Sequence, residues 1–269
     1  MQRHHVIAMT TLHTLRSLSS FRPGIAYVLD NLLHLAPTVR SPVANATHSC
    51  RVPRPGIPSA PTLPPASRPS PSTVALTESG FEFEPLPEGA EDPTATELAA
   101  VVDEFYAART ALESLGSMGE NDGGVVFQGA GDPMAAADVV VDAVRLVAER
   151  RNGIAFRLNT LGLCEAGAVE LLLSSGVLAR GDGDQRRDTR IATVGVFLPA
   201  ANPSQYAELL RPDEGLGFGD ACSFVARLAE AGVNIECTTI ARPDINVGEV
   251  KALATSLGAT SFRTLGSMD

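Results

Sequence analysis

At 269 residues with 44% hydrophobic content, the chain is long enough for one large domain or two small ones, and it can bury a sizeable core. A formal net charge of -10 and a pI near 5.0 argue against nucleic acid as the partner, because a phosphate backbone needs clustered Lys and Arg. No uncharged apolar run approaches the ~18 residues of a membrane span, so the expected partner is a small-molecule ligand, with no nucleic acid and no membrane.

Residues 1–23 carry Arg3, Arg16 and Arg22 with no acid before Asp30, so they read either as a frayed basic N-terminal extension or as an organelle transit peptide. The expected location is cytoplasmic, or an organelle stroma or matrix if the extension is a transit peptide. Residues 24–35, GIAYVLDNLLHL, have the β-branched and aromatic start of a first strand, though a short helix fits too. Residues 36–77 hold more than half of the 19 prolines and no Asp or Glu. Such a stretch reads as a disordered Pro/Ser-rich segment: a loop, a linker or a wrongly predicted exon.

Residues 78–269 form the regular body, in which strands and helices alternate. A helix opens at Thr94 or Thr96 and runs to about Leu115; Gly123 to Gln128 is a strand. The helix after Pro133 sets Val140, Val144 and Val147 on one face, with Asp138, Asp142, Arg145 and Glu149 as its solvated side. Ile154 to Asn159 is a strand, the helix through Val169 and Leu172 stops at Gly176, and Ile191 to Leu198 is another strand. Asp220 caps a helix ending at Gly232, VNIECTTI alternates as a strand, Asn246 and Glu249 form a capping box, and Thr260 to Leu265 closes the series. Strand and helix repeating every 30 to 40 residues imply right-handed crossovers and a parallel sheet, with ligands at the carboxyl ends of the strands.

Several chemistries are ruled out by composition. Lys251 is the only lysine, so no P-loop Gly-Lys pair exists; the five histidines, His4, His5, His13, His34 and His48, all precede the regular body, which therefore lacks an imidazole for a triad or a metal. Cys50, Cys164, Cys222 and Cys237 lie far apart, which fits a reducing compartment rather than a zinc knuckle or a disulfide framework. The richest turn is VVFQGAGDPMAAAD. Gly129 and Gly131 would let a ligand approach bare backbone near a helix start, while Asp132 and Pro133 equally suit the N-cap and first position of that helix.

Read together, the strand ends Gly129-Ala-Gly-Asp-Pro133, Arg157-Leu-Asn-Thr-Leu-Gly162, VGVFLPAANPSQY and Thr238, Thr239 and Arg242 resemble the radical S-adenosylmethionine (radical SAM) superfamily, in particular its TatD-associated proteins. The resemblance runs from about Gly123 to Arg263. It implies a six-stranded partial (β/α) barrel with a disordered Pro-rich insert, and S-adenosylmethionine bound at the carboxyl edge of its strands. It further implies that Gly129, Ala130, Gly131 and Asp132 meet the methionyl end of that cofactor, and that Asn159 and Thr160 line the pocket floor. Arg242 or Arg263 would meet a carboxylate, and Glu236 would point into the barrel.

The family also implies a four-iron four-sulfur cluster on a C-x-x-x-C-x-x-C triad directly after the first strand. This chain reads RSPVANATHSCRVPR there: one register gives Ser41, Asn45 and His48, the other Val43, Thr47 and Cys50. Cys50 is the only candidate metal ligand, and neither register supplies the three thiolates such a cluster needs. Three readings follow: a radical enzyme whose cysteines were lost to a gene-model error, a non-catalytic relative that keeps the barrel, and a dinucleotide-binding oxidoreductase using Gly129 and Gly131. The last lacks a third glycine at Met134 and a ribose-binding acid at Asn159 or Thr160.

Overall fold

The computed structural model describes residues 22, 24–29, 32–43, 86, 89–114, 124–180 and 188–265. Nearly all of the N-terminal extension, and Cys50 with the rest of the Pro-rich segment beyond Val43, lie outside them.

The strands are β1 (Ala26–Leu29), β2 (Leu32–Leu35), β3 (Val125–Phe127), β4 (Ala155–Thr160), β5 (Arg190–Phe197), β6 (Ile235–Ile240) and β7 (Ser261–Leu265). They form one sheet in the order β1-β2-β3-β4-β5-β6-β7, antiparallel between β1 and β2 and parallel from β2 onward. The expected first strand at 24–35 is thus a hairpin, Ala26 pairing with Leu35 and Leu29 with Leu32. Its second arm is the first of six parallel strands, and β1 is an added edge. Strand order never reverses, so there is no switch-point crevice of the kind a doubly wound dinucleotide fold uses.

Among the described residues six α-helices follow the strands: α1 (Ala95–Ser114), α2 (Ala137–Arg150), α3 (Ala166–Ser174), α4 (Pro203–Leu210), α5 (Phe218–Glu230) and α6 (Val247–Ser256). Neighbouring parallel strands joined in sequence by right-handed crossovers put their helices on one face and leave the other to curve inward. The alternation of each strand obeys this. Leu33, Leu35, Val125, Phe127, Phe156, Leu158, Val194, Val196, Ile235 and Cys237 are buried in the core with Val140, Val144 and Val147 of α2 and Phe224, Val225 and Leu228 of α5. Each such side chain contributes about 1.5–3 kcal/mol on burial. The opposite parity carries the polar side chains His34, Gln128, Arg157, Asn159, Glu236, Thr238 and Arg263, with Val126 and Phe197 among them.

Helix starts follow side-chain chemistry. The Asn246 side chain accepts from the Glu249 N–H at 3.3 Å, so it is the N-cap, but Glu249 Oε1 takes the Asn246 side-chain amide at 2.8 Å and not its backbone N–H, so the expected capping box is only half formed. Asp220 is not an N-cap; it sits in the first turn of α5, where its carboxylate accepts from the Gly217 N–H at 2.8 Å. Helix α4 opens on Asn202 and Pro203, with the Gln205 N–H bonded to Asn202 at 2.9 Å, a pairing hidden inside the VGVFLPAANPSQY strand end.

Candidate functional site

After β2 the chain crosses the carboxyl edge of the sheet as a strap, residues 36–43. The Ala36 N–H donates to Ile25 O at 2.9 Å, the Asp132 N–H to Arg40 O at 2.9 Å, and the Asp213 N–H to Pro42 O at 2.9 Å, while Val43 forms a bridge with Pro212 beyond α4. Asp92 holds the strap from the side, accepting from the Thr38 hydroxyl at 2.7 Å, the Val39 N–H at 3.2 Å and Arg40 Nε at 3.2 Å. Val43 is buried with Leu161, Leu163, Phe197 and Tyr206. The Pro-rich texture therefore begins inside the folded body.

The strap accounts for the two glycines of GAGDP. A Cβ on Gly129 would lie 2.3 Å from Ala36 Cβ, and one on Gly131 would lie 2.5 Å from the carbonyl oxygens of both Thr38 and Arg40. Asp132 is spoken for as well. It is 5% exposed and accepts from the Met134 N–H at 2.9 Å, the Thr160 hydroxyl at 2.7 Å and the Leu161 N–H at 2.7 Å. It caps the short 3₁₀ turn Pro133–Ala136 that leads into α2, and it ties that turn to the end of β4. Burial pushes its carboxyl above the ordinary carboxylate range, against the pull of Leu161, Thr160 and Met134.

Beside the turn lies a cleft lined by Gln128, Gly131, Arg157, Asn159, Thr238 and Arg263 with apolar walls from Phe197 and Leu265. Gly129, Asp132 and Thr160 also border it, so Gly129, Gly131, Asp132, Asn159, Thr160 and Arg263 of the expected residues meet at one cleft, while Ala130 and Glu236 do not line it. Arg242 is elsewhere: it pairs with Asp244 at 2.8 Å on the exposed surface after β6.

The floor is one connected hydrogen-bond chain. Arg157 Nη2 donates to Glu236 Oε1 at 2.6 Å and its Nε to Asn159 Oδ1 at 2.7 Å; Asn159 Nδ2 donates to Gln128 Oε1 at 2.6 Å, and Arg263 Nε to Glu236 Oε1 at 3.2 Å. β5 separates β4 from β6, so Arg157 spans two strand spacings, roughly 9–10 Å. It can do so because Gly195 has no side chain; a Cβ there would stand 2.4 Å from Asn159 Oδ1 and 2.6 Å from Arg157 Nη2.

The expected cluster does not fit this edge. Where its arm would begin, the strap carries no cysteine, and the Ser41 hydroxyl donates to Val43 O at 3.3 Å. Among the described residues no three His, Cys, Asp or Glu side chains group to hold a metal. Cys164, Cys222 and Cys237 are separate thiols pushed upward by burial, Cys164 and Cys237 to about 12, so they sit protonated as packing groups.

No family model and no curated protein matches the chain. Among solved structures it is similar to SuiB of Streptococcus suis. With SuiB bound to the precursor peptide SuiA, the TM-score is 0.46 at 12% identity over 67% of this chain and 34% of that one. With SuiB bound to S-adenosylmethionine, the score is 0.45 at 12% identity, covering 68% and 36%. TYW1 with a lysine-pyruvate adduct bound is similar at a TM-score of 0.47 and 9% identity, covering 89% and 65%. This chain thus spans about a third of SuiB and just under two thirds of TYW1. Its class is an α/β protein with an open, mostly parallel seven-stranded sheet, and no described helix is long and apolar enough to cross a membrane.

Proposed function

We propose that this chain is a non-radical relative of the radical SAM barrels, a small-molecule-binding protein whose ligand sits at the carboxyl edge of the sheet. One observation carries the reading: the cleft of Gln128, Asn159, Thr238 and Arg263 is built, while the segment that would hold the cluster is packed across the edge as a strap. Four strand-end motifs in family order support the barrel ancestry. The family's chemistry is reductive cleavage of S-adenosylmethionine, which needs an electron from the cluster, and no three-thiolate arm is encoded after β2.

S-adenosylmethionine is the ligand the motifs imply. Its ammonium would have to rest on the backbone of the 129–131 turn, because both oxygens of Asp132 already take internal donors. The test is a titration of the folded chain with S-adenosylmethionine, following the amides of Gly131, Leu161 and Thr238, then addition of dithionite after anaerobic treatment with iron and sulfide. The expected result is saturable shifts at the cleft with the cofactor left intact. Reductive cleavage of S-adenosylmethionine would overturn the reading.

A further inference from the structure

The polarity of the cleft floor is fixed by one guanidinium. Arg157 Nε can only donate, so the Asn159 atom 2.7 Å away must be its carbonyl oxygen. The Asn159 amide nitrogen then faces Gln128, which must accept through Oε1. The relay therefore ends in a donor: Gln128, 6% exposed and lining the cleft, keeps its Nε2 hydrogens without a partner. Thr238 is 8% exposed, also lines the cleft, and its hydroxyl bonds no described residue. Arg157 uses Nε and Nη2 within the network and has Nη1 left over.

The amide and carboxylate acceptors that line the cleft are taken, and Glu236, whose Oε2 stays open, is not among the lining residues. Asn159 Oδ1 and Gln128 Oε1 serve the relay, Glu236 Oε1 takes both Arg157 and Arg263, and the Asp132 carboxylate takes three donors. Donors that face the cleft with no protein acceptor are matched by a ligand oxyanion and not by a ligand cation. Hydrogen bonds from a guanidinium to a carboxylate are roughly twice as strong as neutral ones.

We infer that the cleft is a carboxylate receptor, in which Arg157 Nη1, Gln128 Nε2 and the Thr238 hydroxyl take the oxygens of a small organic acid whose apolar part lies against Phe197 and Leu265. This rests on the carboxyl-edge reading above and names the class of its ligand.

The experiment is an amide-shift titration of the full chain with acetate, succinate and benzoate, each against its neutral amide: acetamide, succinamide and benzamide. At least one acid is expected to bind ten-fold or more tightly than its amide, with shifts at Gly131, Asn159 and Thr238 that weaken as salt rises. Gln128→Glu, which keeps the acceptor for Asn159 but swaps the free donor for an oxygen, is expected to lose ten-fold or more. Thr238→Val is expected to lose three-fold or more, and circular dichroism confirms that both variants fold. Acids no tighter than their amides, or acid binding unmoved by either variant, would overturn the inference. If S-adenosylmethionine then shifts the same amides, the carboxyl-edge reading stands without it; if it shifts none of them, both fall.

Discussion

Arg157 on β4 reaches across β5 to bond Glu236 on β6 at 2.6 Å, and the strand it crosses carries glycine at the crossing point. Gly195 therefore belongs to the site although it contributes no functional group. The polar face of the sheet is organised by this one long side chain, which orients two amides and shares a carboxylate with Arg263.

The two glycine environments predict different costs. Gly131→Ala drives a methyl into two backbone carbonyls of the strap, which cannot move without breaking the Asp132 N–H bond to Arg40, so a loss of about 3 kcal/mol is expected in denaturant unfolding. Gly195→Ala meets only side-chain tips that can swing aside, so its expected cost is nearer ~1 kcal/mol, with carboxylate binding lost. Equal stabilities for the two variants would contradict this assignment of the GAGDP glycines.

Asp132→Ala leaves the N–H groups of Met134 and Leu161 and the Thr160 hydroxyl without their acceptor, two of them at 2.7 Å. Stability is expected to fall by about 3 kcal/mol or more. A loss under ~1 kcal/mol in chemical denaturation would mean that the carboxylate is no structural clamp.

His34 is 6% exposed, stacks on Tyr27 at 4.6 Å and has no partner for either ring nitrogen. Burial pulls its pKa down to about 4 from 6.5. The unfolded chain then binds a proton below pH 6.5 that the folded chain refuses until about pH 4, so the contribution is present above 6.5 and is lost as pH falls toward 4. Unfolding free energy is expected to drop by about 3 kcal/mol across that window, and His34→Phe should remove most of the slope. An unchanged slope in the variant would assign the acid sensitivity to other groups.

Asp92→Ala removes the acceptor shared by Thr38, Val39 and Arg40. Hydrogen exchange should speed up at Asp132 and Asp213, whose N–H groups donate to the strap, and stay unchanged at Val194 and Ile235 in the core strands. Acceleration spread evenly over the sheet would show that the strap is not a separate unit.

The six parallel strands were legible in the sequence because each is a short apolar run closed by a glycine or polar turn, and the helices because their apolar stripes and caps repeat cleanly. The β1–β2 hairpin was not, since Ala26–Leu29 and Leu32–Leu35 stand two residues apart and read as one strand-like stretch. Helix α4 was hidden because Asn202 and Pro203 read as the tail of a strand motif. That the GAGDP turn, Asn159 and Thr160 border one cleft was legible from their place at strand ends. The second job of the glycines could not be seen, because residues 36–40 lie about ninety positions away in sequence and meet the turn only in the fold. Gln128 and Gly195 escaped notice for a related reason: their roles come from a side-chain relay that crosses three strands.

The Pro-rich segment invites a direct check on the encoded chain. The strap residues 36–43 are bonded to Asp92, Asp132 and Asp213, so the transcript is expected to encode them as written. A transcript supplying C-x-x-x-C-x-x-C after β2 would restore the radical-enzyme reading.

The most direct measurement is anaerobic reconstitution of the full chain with iron and sulfide, read by visible absorption and iron content. A chain whose carboxyl edge carries a strap and no three-thiolate arm is expected to emerge from desalting colourless. A stable band near ~400 nm with about four iron atoms per chain would contradict the account.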